Sequence, residues 1–93
     1  MISVEISPEF ILAAANMEMD KASTMLLEFN RSVNGHSYSQ RELKLAKEVK
    51  THLMKAYELI RLVDTPEVKA LQVILSETIA RQDVIIRNVE LSL

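Results

Sequence analysis

The chain has two histidines, His36 and His52, and no cysteine, which limits the metal chemistry that it could support. A metalloprotease zinc site needs two histidines one helical turn apart with a glutamate between them, so that both rings reach one ion. Glu48 and His52 are one turn apart, but no second histidine follows. We interpret Glu48 and His52 as a pair on a helix surface and His36 as a solvated loop residue. The sequence predicts no metal site.

Acidic side chains are plentiful but are not arranged for catalysis. The Glu-x-x-His spacing of di-iron bundles does not occur. Glu18 is the one acid near an apolar helical seam, where a glutamate usually reaches water or a neighbouring base. A phosphate-binding loop needs several glycines, and Gly35 is the only one. The sequence therefore predicts no catalytic residue and no cofactor.

Basic residues are concentrated in the middle of the chain. Residues 40–63 carry six Lys or Arg and three Asp or Glu, whereas residues 1–39 carry two and five. A basic helix could lie along a phosphate backbone, so a nucleic-acid-binding protein is the alternative interpretation. Because three glutamates interrupt this segment and its flanks are acidic, we favour a basic helix that faces acidic helices or an acidic partner.

The first and third helices have the same kind of start. Ser7 precedes Pro8 and Thr65 precedes Pro66. A hydroxyl cap followed by proline at the first helical position is typical of a helix N-terminus. Apolar residues then recur at spacings of three and four, which indicates amphipathic helices.

The second helix is marked by a capping box, in which Ser39 is followed three residues later by Glu42. Asn34-Gly35 precedes it and suits the left-handed residue that ends many helices. Apolar residues again follow at helical spacing. The sequence predicts helices over residues 8–33, 40–63 and 66–91.

These elements predict one all-α domain over residues 1–93, an antiparallel three-helix bundle made of a helical hairpin and a third helix. The composition, with 48% hydrophobic and 26% charged residues and a net charge of -2, is typical of soluble globular domains. The longest apolar run has six residues, far below the roughly 20 of a membrane span. No secretory signal is visible, so we expect a cytoplasmic protein without a membrane partner.

The third helix has two apolar faces, and a three-helix monomer readily covers only one of them. We expect the broader face to belong to the core: Val68, Leu71, Ile74, Leu75, Ile79, Ile85, Ile86 and Val89. The back of the first helix carries two further large apolar residues outside its seam. The predicted partner-binding residues are Val73, Ala80, Val84 and Leu91 on the third helix and Phe10 and Met17 on the first.

The first six residues alternate apolar and polar side chains, with Ile2, Val4 and Ile6 on one side. We favour a short extended arm packed on the bundle over a strand that pairs with another subunit.

No motif identifies a biochemical activity. The uncovered apolar residues favour a non-catalytic protein-protein interaction module that self-associates or binds a helical partner, as an adaptor, chaperone-like protein or regulatory subunit. A homodimer is the simplest form.

Overall fold

The computed structural model describes residues 7–33 and 37–93, which form three helices and, within those ranges, no strand. Helix α1 spans Pro8–Val33, α2 spans Gln40–Ile60 and α3 spans Pro66–Leu91. The predicted all-α three-helix fold is confirmed. The predicted N-terminal arm, the Asn34-Gly35 helix stop and His36 lie outside the described residues.

Side-chain caps define the starts of α1 and α3 as expected. The Ser7 hydroxyl accepts a hydrogen bond from the Phe10 N–H, and the Thr65 hydroxyl accepts one from the Val68 N–H, each at 3.2 Å. Each bond satisfies one of the backbone donors that the first helical turn leaves without a partner. These two starts match the sequence prediction because they depend only on neighbouring residues.

Helix α2 ends at Ile60, three residues before its predicted end. The N–H of Val63 donates to the Ile60 carbonyl, so the chain tightens into a turn after the helix. Thr65 then has extended backbone angles (φ -133, ψ 154), as expected for a residue before proline. Val63 stays buried, so the turn still contributes to the core. Apolar periodicity alone could not show where the helix stopped.

Helix α2 is the central helix of the bundle. It packs against both α1 and α3, whereas no Cα atom of α1 comes within 8 Å of α3 in the described residues. Small side chains buried in α1 and α2 allow close approach, because interaxial distance depends on the residues at the contact. They are Ala15, Ala22, Ala46 and Ala56. Since α2 rather than α3 is central, one side of α3 has no helix against it.

The core face of α3 differs from the predicted one at two positions. Ile74, expected in the core, is 58% exposed, whereas Gln82 is buried. Gln72 and Asp83 contact α2, and Ile74 points away from both when residues are placed at about 100° each around the helix. The prediction for Ile74 was therefore wrong, because α1 does not approach α3 closely enough to cover it.

Candidate functional site

The outer face of α3 carries the predicted partner-binding residues of that helix. Val73, Val84 and Leu91 are 58%, 57% and 79% exposed, and Ala80 is also exposed. Leu75, on the opposite side, is buried in an apolar cluster that includes residues of α1 and α2. The structure thus places these four residues at the surface, and their role in binding stays a prediction.

Three further exposed side chains widen this outer face. Ile74, the residue after Val73, adds a large exposed apolar side chain. Glu77 and Arg81, which the sequence analysis did not single out, form an ion pair along the helix at 4.0 Å, with both side chains mostly exposed. They are exposed because no helix covers this side of α3. The periodicity of one helix does not show which side its neighbours leave uncovered.

A second apolar patch lies on α1. Phe10 and Met17 are 65% and 61% exposed. No Cα atom of α1 comes within 8 Å of α3 in the described residues, so the backbone that carries this patch lies apart from α3. Phe10 and Met17 therefore keep their predicted exposure, but the structure does not bring them together with the α3 residues.

A shallow groove of about 640 Å³ lies along α2 and the turn after it. Its lining includes the apolar side chains Met54, Leu59 and Leu62 of α2 and the turn after it, together with the carboxylate of Glu18 from α1. The sequence carries no signal for this groove, because the groove depends on how α1 and α2 align.

His52 contacts Glu18 across the helical hairpin rather than Glu48 on its own helix. The His52 Nδ1 lies 2.5 Å from a Glu18 carboxylate oxygen, and both side chains are mostly buried. This hydrogen bond, assisted by the charges of Lys21 and Lys55, lowers the pKa of Glu18 below its ordinary 4.5. The interpretation of Glu48 and His52 as a surface pair was therefore wrong.

Glu42 is a buried acid at the start of α2. The Ser39 hydroxyl donates a hydrogen bond to its carboxylate instead of accepting one from the helix backbone. That bond lowers the pKa of Glu42, and further hydrogen bonds from Ser32 and from backbone N–H groups lower it in the same direction. The two residues of the predicted capping box thus contact each other, but Ser39 bonds to the Glu42 carboxylate and does not cap the backbone of α2.

Two of the bases of α2 contact acids on the flanking helices. Arg41 lies 3.2 Å from Glu28 of α1, and Lys50 lies 2.7 Å from Asp83 of α3. These contacts agree with the interpretation that the basic helix faces acidic neighbours. They leave Lys44 and Lys47 at or near the surface beside shallow depressions.

Comparison with known proteins gives no family. No family model, curated protein or solved structure matches the chain.

Two features of the described ranges concern metal binding and membrane insertion. In residues 7–33 and 37–93, no group of three or more His, Asp or Glu side chains is placed to hold a metal ion. Across the same ranges, each of the helices is too short in apolar sequence to span a bilayer. The exposed apolar residues make the outer face of α3 the candidate site and the α1 patch a second candidate surface.

Proposed function

We propose that this protein is a non-catalytic helical interaction module that self-associates or binds a helical partner, as an adaptor, chaperone-like protein or regulatory subunit. One observation carries the proposal: apolar residues aligned along α3 are exposed because no helix of the described bundle covers them. A homodimer through this face is the simplest assembly, and a cytoplasmic location is part of the proposal.

The energetics of burial support this role for α3. Fully burying a valine or leucine side chain contributes about 1.5–3 kcal/mol. Val73, Val84 and Leu91 all expose more than half of their surface, so covering them yields a gain comparable with the several kcal/mol that association costs. Single exposed apolar residues are common, but an aligned row on one helix is typical of an interaction surface.

The polar contacts within the bundle support a non-catalytic role. The buried or half-buried polar side chains are hydrogen-bonded to other groups of the bundle. Glu42 is paired with Ser39, Gln82 with the Ala46 carbonyl, and Glu18 with His52. Within the described residues, no fully buried side-chain nitrogen or oxygen lacks a hydrogen-bond partner.

Nucleic-acid binding through α2 is the alternative proposal and has less support. Lys44 and Lys47 are available for phosphate contacts, but Arg41 and Lys50 already contact acids of the neighbouring helices.

The experiment compares three variants, with light scattering to measure their mass in solution and circular dichroism to measure their helicity. Val84→Arg should abolish self-association, or capture of a partner from the native host, without loss of helicity. Leu62→Arg, a matched change at another exposed apolar residue, should leave association intact. Leu75→Arg should unfold the chain, because Leu75 is buried. Unfolding of Val84→Arg, or association equal to that of the unsubstituted protein, would refute the proposed role of this face.

A further inference from the structure

The exposed side of α3 follows a heptad-like pattern. Its exposed residues are separated by steps of four, three, four, three and four, so they lie on one narrow face of the helix. They are Ala70, Ile74, Glu77, Arg81, Val84 and Asn88. This face partly overlaps the predicted interaction residues: Val84 belongs to it, Val73 and Leu91 flank it, and Ala80 lies at its margin.

This row is symmetric about Ile79. Glu77 and Arg81 stand two residues before and after Ile79, and Ile74 and Val84 stand five residues before and after it. Ile79 is also the middle of α3, with 13 helical residues before it and 12 after it. Ile74 and Glu77 on one half of the face therefore have an apolar and a basic counterpart, Val84 and Arg81, at the same distances on the other half, while Ala70 is matched by the polar Asn88.

Such a face is complementary to an antiparallel copy of itself. When two identical helices pack antiparallel about a two-fold axis, residues at equal distances before and after the axis face each other. With the axis at Ile79, Glu77 faces Arg81 and Ile74 faces Val84. A parallel arrangement in register would place Glu77 against Glu77 and Arg81 against Arg81, which is repulsive.

We propose that a second copy of this chain packs antiparallel on α3, with reciprocal Glu77–Arg81 ion pairs and Ile74 packed against Val84. The two-fold axis crosses the exposed face at the level of Ile79, whose own side chain packs on the core. The inference rests on the proposed self-association and specifies its partner and register. The helices overlap over almost their whole length in this register because the axis coincides with the middle of α3. The ion pair within the helix does not oppose it, because an exposed contact at 4.0 Å contributes little.

Charge reversal tests the pairing in sedimentation experiments on the full chain. Glu77→Arg alone places four bases at the centre of the dimer and Arg81→Glu alone places four acids there, so each should weaken dimerisation at least about tenfold. An equimolar mixture of the two variants should form a heterodimer, and the doubly exchanged chain should dimerise like the unsubstituted protein. Glu58→Arg, at an exposed ion pair between the last turn of α2 and Arg61 just after it, is the matched control and should leave the dimer intact.

Cysteine substitution tests the register independently, because the chain has no native cysteine. Ile74→Cys and Val84→Cys should form a disulfide with each other when the two variants are mixed. Neither should cross-link to itself, since identical positions lie ten residues apart in the antiparallel register, about 15 Å at 1.5 Å per residue.

The outcomes separate this inference from the proposed function. A monomer at high concentration would overturn the second copy as partner, while partner capture lost in Val84→Arg would still support an interaction module. A dimer unaffected by single charge reversal, or one in which Ile74→Cys cross-links to itself, would overturn the antiparallel register. Recovery of dimerisation in the mixture together with mixed cross-linking would support both the partner and the register.

Discussion

Gln82 provides a sharp test of how α3 attaches to α2. Its side chain is only 3% exposed, and its Nε2 donates a hydrogen bond of 2.8 Å to the Ala46 carbonyl oxygen. Gln82→Met keeps the volume and removes the donor. A buried hydrogen bond contributes about 0.5–1.5 kcal/mol net, and the gain from burying an apolar group offsets part of that loss. We expect Gln82→Met to lower the free energy of unfolding by about 1 kcal/mol or less.

Gln82→Glu should have a much larger effect at neutral pH. The introduced carboxylate would be buried beside the Ala46 carbonyl oxygen, without the donor that the amide supplies. Burial raises the pKa of a carboxyl by up to about 3–5 units, and each unit corresponds to about 1.4 kcal/mol. The loss at neutral pH is therefore several kcal/mol, a large part of the roughly 5–15 kcal/mol that stabilises a small domain.

The sign of the pH dependence distinguishes this effect from a packing defect. A carboxyl whose pKa is raised in the folded state destabilises the fold as the pH rises through that range, and the loss is relieved at lower pH. Urea unfolding followed by circular dichroism should therefore show that the Gln82→Glu protein has a much lower free energy of unfolding at pH 7.5 than at pH 5. Asn16→Asp, at an exposed position of α1 outside the proposed dimer face, is the matched control and should change stability by about 0.5 kcal/mol or less. Equal stability of the two variants at pH 7.5 would refute the burial of Gln82 between α2 and α3.

Three further predictions concern the charged groups of the hairpin. The folded protein should lose stability as the pH falls below about 4.5, because the lowered pKa values of Glu18 and Glu42 stabilise the fold only while these groups are ionised. In an NMR titration, His52→Ala should raise the pKa of Glu18 towards its ordinary value, and an unchanged pKa would contradict the observed contact. Gel shifts at low and moderate salt should show no specific DNA or RNA binding. Tight salt-dependent binding that Lys44→Glu and Lys47→Glu remove would favour the nucleic-acid alternative.

Local sequence signals predicted the helix starts but not the full extent of α2. Ser7 and Thr65 cap their helices through neighbours three residues away, so no tertiary information was needed. The end of α2 depends on a tightened turn and on the extended residue before Pro66, where apolar periodicity continues through Val63 although the helix does not. Periodicity reports which residues are buried, and a buried turn residue satisfies it as well as a helical one.

The exchange of Ile74 and Gln82 between surface and core has a different origin. A hydrophobicity pattern groups apolar residues into a stripe, but the position of the neighbouring helix decides which part of the stripe is covered. Gln82 follows Leu75 and precedes Val89 at intervals of seven residues, and both of these neighbours are buried. This heptad spacing could have predicted that Gln82 is buried, because the position of a residue on the helix decides its burial more than the polarity of its side chain does.

The contact between Glu18 and His52 required the alignment of two helices. Glu28 and Arg41 form a second contact across the same hairpin, and both pairs are centred on the loop between α1 and α2. In an antiparallel hairpin, residues at similar distances from the loop face each other, so the two contacts have a common cause. The sequence supplied the acids and bases, but their pairing depends on the loop length and on the rotation of each helix.

The distribution of ion pairs explains why assembly can be tested on α3 without disturbing the fold. Cross-helix pairs connect α1 with α2 and α2 with α3, and changing their members alters tertiary packing. In the part of the chain that the structure describes, the ion pair of Glu77 and Arg81 lies within one helix and joins no two elements. Reversing either charge therefore costs the monomer little, whereas a dimer formed about Ile79 would bring like charges together. A change in association at constant stability would consequently report on the interface alone.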